Sequence, residues 1–139
     1  MENKVSRFKA REQGFILIFE MNFNTEHFTD VIEAAEETRD IVFEDYAKEL
    51  ALGVYNTKDD LDAIISAHLK KGWNLKRISK ASLSILRLAL YEMTYVDSVP
   101  SSVAINEAVE LAKKYTIDES KFINGVLGAI SREEKWTTI

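Results

Sequence analysis

The sequence predicts an all-α protein organised around one buried helix. Residues 82–95 carry apolar side chains in nearly every direction around a helix and contain neither glycine nor proline. Such a helix must be covered on all sides by other helices. The run is rich in Leu and Ala, which favours a helix over a strand. The segments before and after it repeat apolar residues at helical spacing, so we expect about seven helices in one domain.

The chain before the central helix predicts four helices. Their spans are 5–22, 29–38, 41–54 and 57–69. Gly53 favours the end of the third helix, and Thr57 with the acids after it is typical of a helix N-terminus. These acids lack the spacing of a calcium loop, so we expect them to lie in a first helical turn and to bind no metal. They are Asp59, Asp60 and Asp62.

The chain from residue 73 onward predicts a turn, the central helix and two further helices. Trp73, in the turn 73–78, is predicted as a core anchor, with a stacking platform as the alternative. Pro100 lies in a loop, where it stops one helix and starts the next. The last two helices are predicted at 103–115 and 120–130. Arg87 falls inside the apolar run of the central helix, where a guanidinium needs a carboxylate or carbonyl partner, so we expect a structural ion pair.

Charge is divided unevenly along the chain. The net charge is −5, yet nine acids face only two basic residues in segment 26–49, so the remainder sums to +2. The chain has no cysteine, which excludes disulfides and thiolate metal sites and favours an intracellular location. No apolar run reaches about 18 residues, so we expect a soluble, cytoplasmic protein without a membrane span.

Two groups of residues are candidates for binding an anionic partner. Lys4, Arg7 and Arg11 follow the spacing i, i+3, i+7 and form a basic ridge at the start of the first helix. Cations there oppose the helix dipole, which favours an anionic ligand over a solvated helix end. Phe122, next to Lys121, lies at the edge of the apolar stripe of the last helix. This placement fits base stacking, and a boundary packing residue is the alternative.

The motifs of common enzymes are absent from the sequence. It has no glycine-rich phosphate loop, no histidine pair with metal spacing and no nucleophile motif, and His27 and His68 stand alone. We therefore expect a binding protein without enzymatic activity, cofactor or metal.

Several segments, in order and at the right spacing, resemble the NusB family of bacterial transcription antitermination proteins. The most specific are 85–93, Val99-Pro100, 103–115 and 121–127, and Arg7 with 10–12 resembles the arginine-rich opening of that family. The resemblance covers nearly the whole chain. It implies two three-helix bundles, at about 5–70 and 74–132, packed into a single RNA-binding domain 1–139.

The resemblance also implies a function. Such a protein binds single-stranded boxA RNA of ribosomal RNA leader transcripts together with the ribosomal protein NusE. The pair suppresses premature termination within a complex that includes other Nus factors and, indirectly, RNA polymerase. The RNA-binding residues implied here are Arg7 and Arg11, with Phe122 as a further candidate, and they coincide with the basic ridge and the aromatic described above.

Two positions depart from the family pattern. Phe8 and Lys9 interrupt the arginines of the opening, and Ser82 stands where the family commonly has an acid ahead of the central helix. We expect Ser82 to cap that helix and to lie at the partner-binding surface. Two alternatives remain: a helical protein-binding adaptor, to which segment 26–49 gives some weight, and the NusB-like domain of ribosomal RNA methyltransferases.

Overall fold

Six α-helices and one short 3₁₀ turn make up the fold. The computed structural model describes residues 4–23 and 27–133, with only the backbone for 4–6. The helices are α1 Lys4–Glu20, α2 Phe28–Arg39, α3 Asp45–Ala67, α4 Lys80–Tyr95, α5 Ser101–Tyr115 and α6 Ser120–Ser131, and the 3₁₀ turn is Leu75–Arg77. The described residues contain no strand. The predicted all-α fold class is confirmed.

Helix α4 is the predicted central helix. Every side chain from Ser82 to Leu90 is buried. Helices α1, α2 and α3 pack on one another, as do α4, α5 and α6, and α4 also packs against α1 and α3. This gives two three-helix bundles joined chiefly through α4.

The two helices predicted at 41–54 and 57–69 are a single helix, α3, and the prediction of a break between them is wrong. Thr57 does not cap a new helix, because its hydroxyl donates to the carbonyl of Gly53 at 2.7 Å inside the continuous helix. Gly53 lies directly under the Tyr91 ring, since a Cβ there would lie 2.1 Å from Cζ of Tyr91 and the ring would have to move. A tertiary contact with α4 thus explains a glycine that resembles a helix end in the sequence.

Ion pairs connect the two bundles. The guanidinium of Arg87 on α4 bonds to Asp62 on α3 through Nε at 2.8 Å and Nη2 at 2.9 Å. The predicted structural role of Arg87 is therefore confirmed, and Asp62 is its partner within α3 rather than a first-turn acid. Glu12 on α1 accepts hydrogen bonds from Lys114 and from the Tyr115 hydroxyl, both on α5. None of the helices in the described residues has the length and apolar character needed to cross a membrane.

Candidate nucleic-acid interface

The basic ridge predicted on α1 points partly outward and partly into the core. Arg7 is half-buried, and its guanidinium carbon lies 3.8 Å from the centre of the Tyr46 ring on α3. Lys9, next to it, is exposed. The side chain of Lys4, the first predicted RNA contact, lies outside the described residues.

Arg11 turns inward, which corrects its predicted position at the surface. It is 4 % exposed, its Nε donates to the two carboxylate oxygens of Glu92 at 3.0 and 2.9 Å, and its Nη1 donates to Glu107 at 2.9 Å. Burial by itself lowers the pKa of Arg11, but the charge and hydrogen bond of Glu92, followed by the charge of Glu107, raise that pKa above its ordinary value. The guanidinium is a buried cation with carboxylate partners, so we assign Arg11 a structural role.

Tyr46 connects the exposed end of this ridge to the buried ion pair. Its hydroxyl donates to Glu92 at 2.5 Å, and its ring contacts the guanidinium of Arg7. Burial raises the pKa of Tyr46, and the hydrogen bond to Glu92 and the charge of Glu92 raise it further. Tyr46 is therefore a neutral donor at all physiological pH values.

Phe122 and Lys121 lie at a second place, on the wall of an apolar cavity of about 550 Å³ between the end of α3 and α6. Phe122 is half-buried against the core, and its ring centre lies 5.7 Å from that of Trp73. Trp73 is 46 % exposed, and Arg77 lies 5.5 Å from its ring centre. The remaining lining residues are His68, Leu69, Lys70, Gly125, Val126 and Ala129.

This cavity combines aromatic side chains with neighbouring cations, as binding sites for single-stranded nucleic acid do. Aromatic faces accept bases of any sequence, and cations beside them contact the backbone. Lys70 and Lys121, on the cavity wall, are both exposed. The prediction of Trp73 as a core anchor is wrong, because about half of its side chain is exposed, and this exposure fits the alternative of a stacking platform. A tryptophan after a helix end does not reveal from sequence which side of its ring is covered.

The structure does not bring Arg7 and Phe122 into one pocket. Arg7 is connected through Tyr46 to Glu92, near the end of α4. Glu119, three residues before Phe122, accepts hydrogen bonds from the hydroxyls of Ser79 and Ser82 at the start of α4. Ten residues separate Glu92 from Ser82, which is roughly 15 Å along a helix. A ligand that reaches both places must extend along α4.

Ser82 has neither of its predicted roles, as N-cap of α4 or as part of a partner-binding surface. Ser79 is the N-cap of α4, and its hydroxyl accepts from the backbone N–H of Ser82 at 3.1 Å. The Ser82 side chain is fully buried and donates to Glu119. Because it is enclosed, Ser82 presents no surface to a partner, and its predicted cap and contact roles are both wrong. Among the described residues, no group of three potential ligands is arranged to hold a metal ion.

Comparisons of the sequence and of the structure with known proteins point to the same family. Residues 8–132 match the sequence model of the NusB family. The transcription antitermination protein NusB of Clostridium novyi is 41% identical over 129 residues, which cover 89% of this chain and 96% of that protein.

Two solved structures share the fold. NusB of T. maritima superimposes with a TM-score of 0.79 at 33% identity, covering 96% of this chain and 94% of that one. A crystal structure of the antitermination factors NusB and NusE in complex with double-stranded RNA contains a chain with a TM-score of 0.81 at 27% identity, covering 94% of this chain and 98% of that one.

Proposed function

The chain belongs to the NusB family, and from this membership we infer that it is a transcription antitermination factor that binds RNA together with NusE. The observation that carries the inference is the match over residues 8–132, together with 41% identity to a NusB protein across 89% of the chain. A similar chain is known in a complex of NusB, NusE and RNA. The exposed cations and aromatic rings of the two candidate places suit an RNA partner.

The finer parts of the function follow from the family resemblance. The RNA is the boxA element of ribosomal RNA leader transcripts, and the complex with NusE suppresses premature termination. Other Nus factors and RNA polymerase join the complex through these partners. The protein acts by binding, without catalysis, and works in the cytoplasm, where bacterial transcription takes place. Both bundles serve as one RNA-binding domain.

We assign the RNA contacts to the two places described above. Arg7 contacts a phosphate at one end of α4, and Phe122 stacks on a base at the other end, where Lys121 contacts the backbone. The exposed ring of Trp73 beside Phe122 supports stacking there, and the exposure of Lys121 supports a phosphate contact. Lys4 remains a predicted contact in the same first turn as Arg7. Arg11 supports this surface from inside and contacts no RNA.

The aromatic rings of Trp73 and Phe122 favour a single strand over a duplex. Bases in a single strand are free to leave the stack and lie on an aromatic ring, whereas a duplex presents mainly its backbone. The known complex with double-stranded RNA makes the strand preference a question for experiment.

The test is a binding titration with a single-stranded boxA oligonucleotide and with the same sequence in a duplex, each with and without NusE, over a series of salt concentrations. We expect tighter binding of the single strand and a gain in affinity on addition of NusE. The slope of log affinity against log salt should correspond to roughly 0.7 per phosphate contact. If neither the protein nor its mixture with NusE binds RNA, the protein is a helical adaptor and the function proposed here is wrong.

A further inference from the structure

We propose that Tyr46, held by Glu92, is a positioning residue for RNA binding that sets the orientation of the Arg7 guanidinium before RNA arrives. The inference rests on the proposed function, because it assumes that Arg7 contacts RNA. It adds two residues, one half-buried and one fully buried, to the machinery of the site.

The first step is the stacking geometry. The guanidinium carbon of Arg7 lies 3.8 Å from the centre of the Tyr46 ring, which is direct contact between the cation and the aromatic face. A guanidinium is planar, and its five N–H groups point outward within that plane. With the guanidinium carbon over the ring, the N–H groups lie along the edge of the guanidinium, in the plane in which it donates to a phosphate.

The second step is the anchoring of the ring. The Tyr46 hydroxyl donates at 2.5 Å to Glu92, a fully buried carboxylate on α4. Glu92 is itself held by Arg11 on α1, and Arg11 also bonds to Glu107 on α5. The ring under Arg7 is thus connected to α1, α4 and α5 as well as to its own helix α3.

The third step separates positioning from charge neutralisation. Arg11 compensates the charge of Glu92 through Nε contacts to both carboxylate oxygens. The tyrosine hydroxyl adds no charge to this group, so its hydrogen bond chiefly fixes the ring. A cation held on a fixed ring loses less side-chain freedom on binding than one that is free in solvent, and this raises affinity without a new contact.

The experiment is a double-mutant cycle in RNA affinity. Wild type, Arg7→Ala, Tyr46→Leu and the double variant are titrated with single-stranded boxA RNA in the presence of NusE, and each is also melted. Tyr46→Phe keeps the ring and removes the hydrogen bond to Glu92. It replaces Tyr46→Leu in the cycle if Tyr46→Leu does not fold. Tyr55→Leu is the matched control, because Tyr55 lies on the same helix and its ring contacts Phe28.

We expect Tyr46→Leu to weaken RNA binding about 2- to 10-fold, the range for fixing one long side chain. The Tyr46→Phe loss should be smaller, and Tyr55→Leu should bind as wild type. The loss from either Tyr46 variant should disappear in the Arg7→Ala background, because no guanidinium is left to orient. A loss of stability alone would not make the effect of a Tyr46 variant depend on Arg7. If a Tyr46 variant lowers the melting temperature but its effect on RNA binding does not depend on Arg7, the proposal is overturned.

The outcomes also distinguish this inference from the function beneath it. If Tyr46→Leu weakens binding by the same factor with or without Arg7, positioning is wrong and RNA binding stands. If Arg7→Ala binds RNA as wild type does, both the assignment of Arg7 and the positioning role are wrong, while the family function stands. If wild type with NusE binds no RNA, the proposed function itself is wrong, and the positioning role with it.

Discussion

Arg11→Ala is the substitution that most directly separates a structural arginine from an RNA-binding one. The family resemblance places Arg11 among RNA contacts, whereas the structure places it 4 % exposed between Glu92 and Glu107. Removing it leaves the fully buried Glu92 with the Tyr46 hydroxyl as its remaining described donor. Glu107 is more accessible and loses little, so the effect comes mainly from Glu92.

The magnitude follows from the buried carboxylate. Breaking a buried ion pair by removing one partner costs about 3–5 kcal/mol. Against a total stability of roughly 5–15 kcal/mol, this is a large fraction. For a chain of this size each kcal/mol lowers the melting temperature by about 4 °C, so we expect a fall of about 12–20 °C.

The assay combines urea unfolding with RNA titration. Arg11→Ala should lower the denaturation midpoint at an unchanged m-value, and the fraction that stays folded should bind RNA with the wild-type salt slope. Arg7→Ala is the control: Arg7 is half-buried, and its contact with the Tyr46 ring contributes about 0.5–1 kcal/mol, so we expect a smaller loss of stability than for Arg11→Ala. A variant that unfolds like wild type, and whose salt slope falls by about 0.7, would show that Arg11 contacts a phosphate and refute the structural assignment.

Four further substitutions test other features. Arg87→Ala should lose about 3 kcal/mol in urea unfolding, because Asp62 keeps a partly buried charge without its partner, and an unchanged stability would place Arg87 outside the core. Phe122→Ala should weaken RNA binding by about 1–3 kcal/mol at an unchanged salt slope; normal binding with a lower melting temperature would make it a packing residue. Burial raises the pKa of Glu12, but hydrogen bonds from Lys114 and Tyr115 outweigh it and hold that pKa below its ordinary value. The stability that this group contributes is therefore fully present above the ordinary pKa of a glutamate and is lost as pH falls through the lowered pKa. Wild type and Glu12→Gln should therefore have converging free energies of unfolding once the pH is below the lowered pKa of Glu12. A difference in free energy of unfolding that stays constant with pH would contradict this linkage. Gly53→Ala should cost about 1–3 kcal/mol through its clash with Tyr91, and a stabilised variant would show that the ring moves aside without cost.

The sequence predicts the parts of the fold that depend on one helix at a time. The apolar residues around α4 require burial wherever their partners lie, and Arg87 within them requires a counter-charge. Its partner Asp62 was not identifiable, because the pairing depends on how α3 lies against α4. Thr57 shows the limit of local signals: its sequence resembles a helix start, but its hydroxyl donates to the Gly53 carbonyl inside a continuous helix.

The candidate site shows the same division. The spacing of Arg7 and Arg11 places both on one side of α1, which is correct, but spacing does not reveal how far the neighbouring helices cover that side. Glu92 and Glu107, which hold Arg11, follow it by 81 and 96 positions. One signal was present in the sequence: Glu92 is an acid near the end of an otherwise apolar helix, and a buried acid needs a cation from elsewhere.

The ion pairs between the bundles also determine how the two halves align. Hydrophobic burial is non-directional, so it fixes the alignment of two helices less sharply than a hydrogen-bonded ion pair does. Arg11 with Glu92 and Arg87 with Asp62 fix it sharply, since moving a helix by one turn, about 5.4 Å, would separate each guanidinium from its carboxylate. These two ion pairs therefore favour a single alignment of the bundles. The position of α1, and of Arg7 on it, along α4 is therefore fixed relative to the end of α4 that lies near α6.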